Sequence, residues 1–153
     1  MRKVLRTAAA AGAAVAALTV AATIVAANDR PLFLSETLGY EGCTPGFWKN
    51  HPAAWDGAFI GPDASLEATF GVDLPGDDLT LLAALRRGGG GFNALGRHAV
   101  AGMLSARTGE VDYPYYSFDV TTMVQEAAAS GDPAAAHHDL ASANELGCPT
   151  NGK

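Results

Sequence analysis

Two cysteines are all the chain has in 153 residues, and they do not form the CxxC pair of a structural zinc site. The four histidines, His51, His98, His137 and His138, fall into no HExxH, HxH or H-x-x-x-H pattern. A metal site would therefore have to be assembled from distant parts of the chain, and neither a metal nor another cofactor is expected. There is no G-x-S-x-G elbow to present a nucleophilic serine. Residues 73–78, although acidic, do not fit a calcium-binding EF-hand loop. No stretch alternates apolar and polar residues for long enough to predict a strand, and there is no internal repeat. Cations are scarce as well. All 16 acidic residues lie beyond Ala27 but only 7 of the 10 Lys and Arg, so that part carries a net charge of −9. Nucleic acid is thereby excluded as a partner, because phosphate binding needs clustered cations. The simplest use of such acidity is solubility outside the cell or in its envelope.

Residues 1–27 have the pattern of a targeting segment. Arg2, Lys3 and Arg6 form a basic start, Thr7 to Ala27 carries no charge and is dominated by Ala, Val, Leu and Ile, and Val25-Ala26-Ala27 places small residues where a signal peptidase cuts. A run of roughly 20 apolar residues is also long enough to span a bilayer, so the alternative is an uncleaved anchor, the one route by which this chain would meet a membrane. Cys43 is too far from the apolar run, and preceded by Tyr40-Glu41-Gly42, to be a lipidated cysteine.

Cleavage after Ala27 leaves 126 of the 153 residues, enough for one domain with a real core. We read residues 28–41 as a linker, 42–149 as the domain and 150–153 as a tail. Cys43 and Cys148 stand near the two ends of that domain, and export together with an even cysteine count predicts a disulfide between them. Two free thiols or a metal pair are the alternatives.

Helical signals fill the domain, which we expect to be all-α with five to six short helices. Thr44 can cap a first helix with Pro45 at its first position, and Pro52 ends it near His51. Residues 55–65 are turn-rich, and Ser65 to Phe70 makes a short helical turn stopped by Gly71. Asp77 and Asp78 read as caps of a helix running from about Asp78 to Arg87. The run Gly88-Gly89-Gly90-Gly91 could cradle phosphate, but it lacks a GK[ST] ending and a preceding strand. A helix stop and close-packing turn explains it better. Phe92 to Arg107 is predicted as the central helix, with Phe92, Leu95, Ala99, Met103 and Ala106 on one face and Val100 and Leu104 on a second. Gly96 and Gly102 weaken it and would admit the backbone of a neighbour. After an aromatic loop with Tyr113, Tyr115 and Tyr116, a helix capped by Ser117 runs to about Ala129. A last one starts at Asp132-Pro133 and runs through Leu146.

The densest chemistry lies in Gly42-Cys43-Thr44-Pro45-Gly46-Phe47-Trp48-Lys49-Asn50-His51-Pro52. Lys49 and His51 could work with a carboxylate as acid and base, although a solvated lysine is the ordinary case. His98 sits at the border of the central helix's apolar face, a place where packed, hydrogen-bonded histidines outnumber ligands. His137 and His138 are adjacent and point about 100° apart on a helix, so they do not share a site. We expect the first helix to touch the central one, with Trp48 buried and Asn50, Arg97 and His98 meeting at the contact.

This opening motif resembles the hallmark of a family of uncharacterised exported bacterial and archaeal proteins. The resemblance extends through Phe70-Gly71-Val72-Asp73-Leu74, the glycine run, Asn93-Ala94-Leu95, Arg97-His98-Ala99-Val100, Tyr113-Pro114-Tyr115 and Asn144-Glu145-Leu146-Gly147-Cys148-Pro149. It implies an exported, surface-associated domain and names no activity. At position 105 it would place Asn where this chain has Ser. The reading that follows is an exported cell-envelope or extracellular module that binds or supports rather than catalyses, its partner a component of those surroundings. Trp48, Lys49, Asn50, His51, Arg97 and His98 are its candidate binding residues. The alternative is a small secreted hydrolase-like enzyme using Lys49, His51, Arg97 and His98.

Overall fold

Short helices end before they can satisfy their own last carbonyls, and in this protein distant side chains meet that need. The computed structural model describes residues 39–149. The predicted leader, most of the linker and the tail lie outside the described residues. Six α-helices and one 3₁₀ helix follow in order: α1 (Pro45–Asn50), the 3₁₀ helix (Pro52–Ala58), α2 (Leu66–Phe70), α3 (Leu81–Arg86), α4 (Phe92–Arg107), α5 (Ser117–Ser130) and α6 (Ala134–Asn144). The domain is all-α. Among the described residues there is no strand, only two isolated antiparallel bridges, Gly42 with Gly147 and Ser65 with Thr80.

Each of the first three α-helices begins as a local signal dictates. Thr44, Ser65 and Thr80 accept hydrogen bonds from the amides of Phe47, Ala68 and Ala83. Their C-terminal ends depend on other elements. The Trp55 indole donates to the Trp48 carbonyl, the Arg107 guanidinium to Ala58 O, the Gln125 amide to Phe70 O, and the Arg97 guanidinium to Arg87 O at the end of α3. Three of those four donors come from α4 and α5, so the long helices lock the short ones in place.

The central helix α4 packs against α6, α5, α3, α1 and the 3₁₀ helix. Its bounds are those predicted, but it is buried on nearly every side, through Ala94, Leu95, Gly96 and the whole of Ala99 to Ser105. Small residues allow this. The space beside Gly96 is taken by the Leu66 side chain, and that beside Gly102 by the Tyr113 hydroxyl and Leu140, so these glycines admit side chains where a neighbouring backbone was expected.

Five boundaries differ from the sequence reading. The 3₁₀ helix Pro52–Ala58 takes in residues 55–58, the first part of the stretch read as turns. Asp78 does not open α3; its carboxylate accepts from the Ser65 hydroxyl and the Glu67 amide at the start of α2, where negative charge suits the helix dipole. α3 therefore begins later, at Leu81. At α5 the cap is Tyr116, one residue earlier than read, because the Asp119 carboxylate reaches back to the Tyr116 amide. α6 ends at Asn144 rather than Leu146. Glu41, assigned to the linker, is already part of the domain: its amide donates to Asp112 O and its carboxylate accepts from the Asp112 amide.

The domain closes on itself at Cys43–Cys148, with the two Cα atoms 4.5 Å apart. Beside it the Gly42 amide donates to Gly147 O at 2.9 Å.

Candidate functional site

Two polar side chains lie fully buried in the described core, Ser105 and Asn144. Burying a polar group without a partner is costly, and each of these two is the centre of a network.

Ser105 is where α1 meets α4. Its Oγ accepts from the Trp48 indole Nε1 at 3.2 Å and from the Cys43 amide at 3.4 Å. Trp48 is buried, as expected, and the contact between the two segments exists. Its chemistry is different from that expected. Asn50 is exposed, because two residues beyond Trp48 is about 200° round the helix. Arg97 and His98 also take no part: Ser105 is seven residues, about 10 Å of helix, from His98. Replacing Ser105 by Ala should lower the unfolding free energy by about 2–3 kcal/mol, since it leaves a buried indole N–H and a buried amide without an acceptor. Urea denaturation followed by tryptophan fluorescence measures this; a loss below about 0.5 kcal/mol would mean that both donors find other acceptors.

The rest of the α1 motif faces outward or serves the helix. Lys49 is exposed. His51 stacks on Phe47 with ring centroids 4.4 Å apart. Its Nδ1 lies 2.8 Å from Phe47 O, and because a carbonyl only accepts, that nitrogen carries the proton. Arg97 is held by Arg87 O at 2.6 Å. Among the described residues no hydrogen bond or ring contact joins Lys49, Asn50 or His51 to Arg97 or His98.

Asn144 is the second centre and sits where α6 crosses α4. Its Nδ2 donates to the His98 carbonyl at 2.9 Å, which fixes the orientation of the amide. The same Nδ2 lies 3.4 Å from His98 Nδ1, and Asn144 Oδ1 accepts from the Tyr113 hydroxyl at 2.9 Å. His98 Nδ1 therefore faces a donor and must be the unprotonated acceptor, with the ring's hydrogen on Nε2. His137 of α6 packs edge-on against the same ring at 5.1 Å. Burial, then His137, then Arg97 lower the His98 pKa to about 4. Burial, then Tyr115, push the Tyr113 phenol well above its ordinary value, so it remains a donor. Tyr113 and Asn144 were not singled out from the sequence as site residues. The available signal was periodic: Asn144 follows His137 by seven residues and so shares a face of α6 with it and Leu140.

This geometry opposes metal binding at His98. A metal on Nε2 would require the proton on Nδ1, where the Asn144 NH₂ group already points. Among the described residues no three His, Cys, Asp or Glu are grouped to hold a metal ion. A cleft of about 20 Å³ beside Leu74, Asp77, Arg87 and Phe92 has room for water and not for an organic ligand. Among the described residues three large apolar side chains stand in solvent: Phe59 is 87% exposed, Tyr116 83% and Phe118 76%. No family model matches the chain, nor does any curated protein or any solved structure.

Proposed function

We propose that this is an exported cell-envelope or extracellular domain that binds a component of those surroundings through the outer side of α1 and the adjoining 3₁₀ helix, with residues 1–27 as its export signal. The observation that carries the binding surface is Phe59. It is the one non-glycine residue with positive φ, 54°, among those described, and its ring is also 87% exposed. A left-handed conformation costs an L-residue about 1–2 kcal/mol, and an exposed aromatic gains nothing in the fold to offset it. Retaining both points to a contact with something outside the chain. Phe59 closes the 3₁₀ helix whose other end is capped by His51, and His51 follows directly on Lys49 and Asn50 at the end of α1. The disulfide supports an oxidising compartment, and the resemblance to exported proteins is strongest in α1.

Phe59→Gly separates fold from function. Glycine accepts the left-handed conformation, so the melting temperature should hold or rise slightly. Binding of the purified chain to envelope vesicles, measured by co-sedimentation, should fall about tenfold or more, as for loss of an aromatic anchor. The chain recovered from the medium or envelope should begin near Asn28. Unchanged binding would remove Phe59 from the contact, and an intact residue 1–27 in the membrane fraction would make that segment an anchor.

A further inference from the structure

The His98–Asn144 pair is held together by one protonation state. His98 O can only accept, so the Asn144 NH₂ must face it, and the same NH₂ faces His98 Nδ1. The amide cannot turn over to suit a protonated ring without losing the backbone carbonyl and setting its own oxygen away from the Tyr113 hydroxyl. The hydroxyl itself has little room to move, since it packs against Gly102, where an added Cβ would stand 2.8 Å from it.

We propose that this seam between α4 and α6 is an acid-opened clasp: a proton taken from solvent by His98 Nδ1 turns the acceptor into a donor, sets N–H against N–H₂ and releases the Asn144 end of α6 from α4. Among the described residues, none of the charged neighbours of the ring is a carboxylate that could balance its charge. On its own helix the neighbour is Arg97, and from α6 it is His137. From the loop before α5 it is Tyr113, reached through Asn144. Asp139 lies two positions beyond His137, about 200° round α6. On α5, Asp119 is committed to the Tyr116 amide and Glu126 is exposed. Arg86 and Arg87 at the end of α3 and Lys49 on α1 are exposed cations. Release stays local because Cys148, four residues past Asn144, remains bonded to Cys43. The surface uncovered is the inward side of α6, Leu140 and Ala143, both buried in the closed form.

The sign follows from the lowered pKa. The folded ring resists protonation until pH falls to about 4, whereas the unfolded chain takes the proton near its ordinary value of about 6.5. The stabilising contribution is complete above about pH 6.5 and diminishes as pH falls towards 4, with about one proton taken up on unfolding in that window. This clasp is independent of what the Phe59 surface binds.

The test is amide hydrogen exchange by mass spectrometry on the disulfide-bonded chain between pH 6.5 and 4, expressed as protection corrected for intrinsic rates. Peptides from residues 134–148 should lose about tenfold or more of their protection as pH falls, ahead of peptides from α5. His98→Asn places an oxygen acceptor near the position of Nδ1 and cannot titrate, and it should remove that pH dependence. The same acid loss in His98→Asn would overturn the proposal. Should that variant fold poorly, the imidazole titration of the unaltered chain by NMR decides. A His98 midpoint well below 6.5 that coincides with the loss of protection supports the clasp, and titration without any loss overturns it. His137→Gln removes one of the neighbours that lower the His98 pKa and should move the midpoint upward.

Discussion

Loss of the Cys43–Cys148 bridge is expected to cost the domain about 4–5 kcal/mol, the loop-closure contribution of a crosslink spanning 105 residues. That is a large part of the 5–15 kcal/mol by which a domain of this size is ordinarily stable. The bridge joins the start of α1 to the chain just past α6, the two ends of the fold. Without it, the paired Gly42–Gly147 segments must find each other from an open chain, and the Cys43 amide must find Ser105. The double variant Cys43→Ser/Cys148→Ser avoids an odd thiol. Its melting temperature should fall by about 15 °C or more relative to the oxidised protein. A fall of only a few degrees would mean that the packing of α4 against its neighbours already brings the ends together, and that the crosslink adds little.

Gly42→Ala is the substitution expected to damage the fold most per atom added. A Cβ at position 42 would run into the Ala143 carbonyl oxygen, and it would also stand 2.9 Å from that carbonyl's carbon and 3.0 Å from Asn144 Cα. All three obstacles are backbone in the last turn of α6, so no side chain can swing away. Either α6 shifts or residue 42 leaves its pairing with Gly147, and the cost should be about 3 kcal/mol or more. The disulfide one residue away should also form less completely at a fixed thiol–disulfide ratio. Gly46→Ala, four residues on, is the control. A Cβ there meets only Thr44 Oγ1 at 3.5 Å, and within α1 alanine should stabilise by about 0.5–1 kcal/mol. Urea titrations of the two variants check both signs. If Gly42→Ala were tolerated as well as Gly46→Ala, the close approach of residue 42 to α6 would be wrong.

Those two glycines show where sequence reading stops. Both lie in one motif, and nothing local separates them; only the position of α6, a hundred residues later, makes one indispensable. The candidate site was legible to the same extent. Trp48 was rightly placed inside and against α4, since a short helix with two large aromatics must bury them. Its partner Ser105 appeared only as a departure from the motif pattern the sequence resembles, and Asn50 was placed at a contact from which its own helix turns it away. His98 was recognised at the border of an apolar face, but Asn144 and Tyr113, which define its protonation state, come from elements 46 and 15 positions away.

What the sequence by itself determined is what short-range chemistry decides: the cap at Thr44, the short helix after Ser65 and its stop at Gly71, the bounds of α4, the all-helical class and, from two cysteines, the crosslink. What only the tertiary structure decided is which donors complete the short helices and which side chains fill the two buried polar positions. A helix needs only a few neighbouring residues to start, but its last carbonyls, once buried, accept whatever donor the packed chain brings within reach.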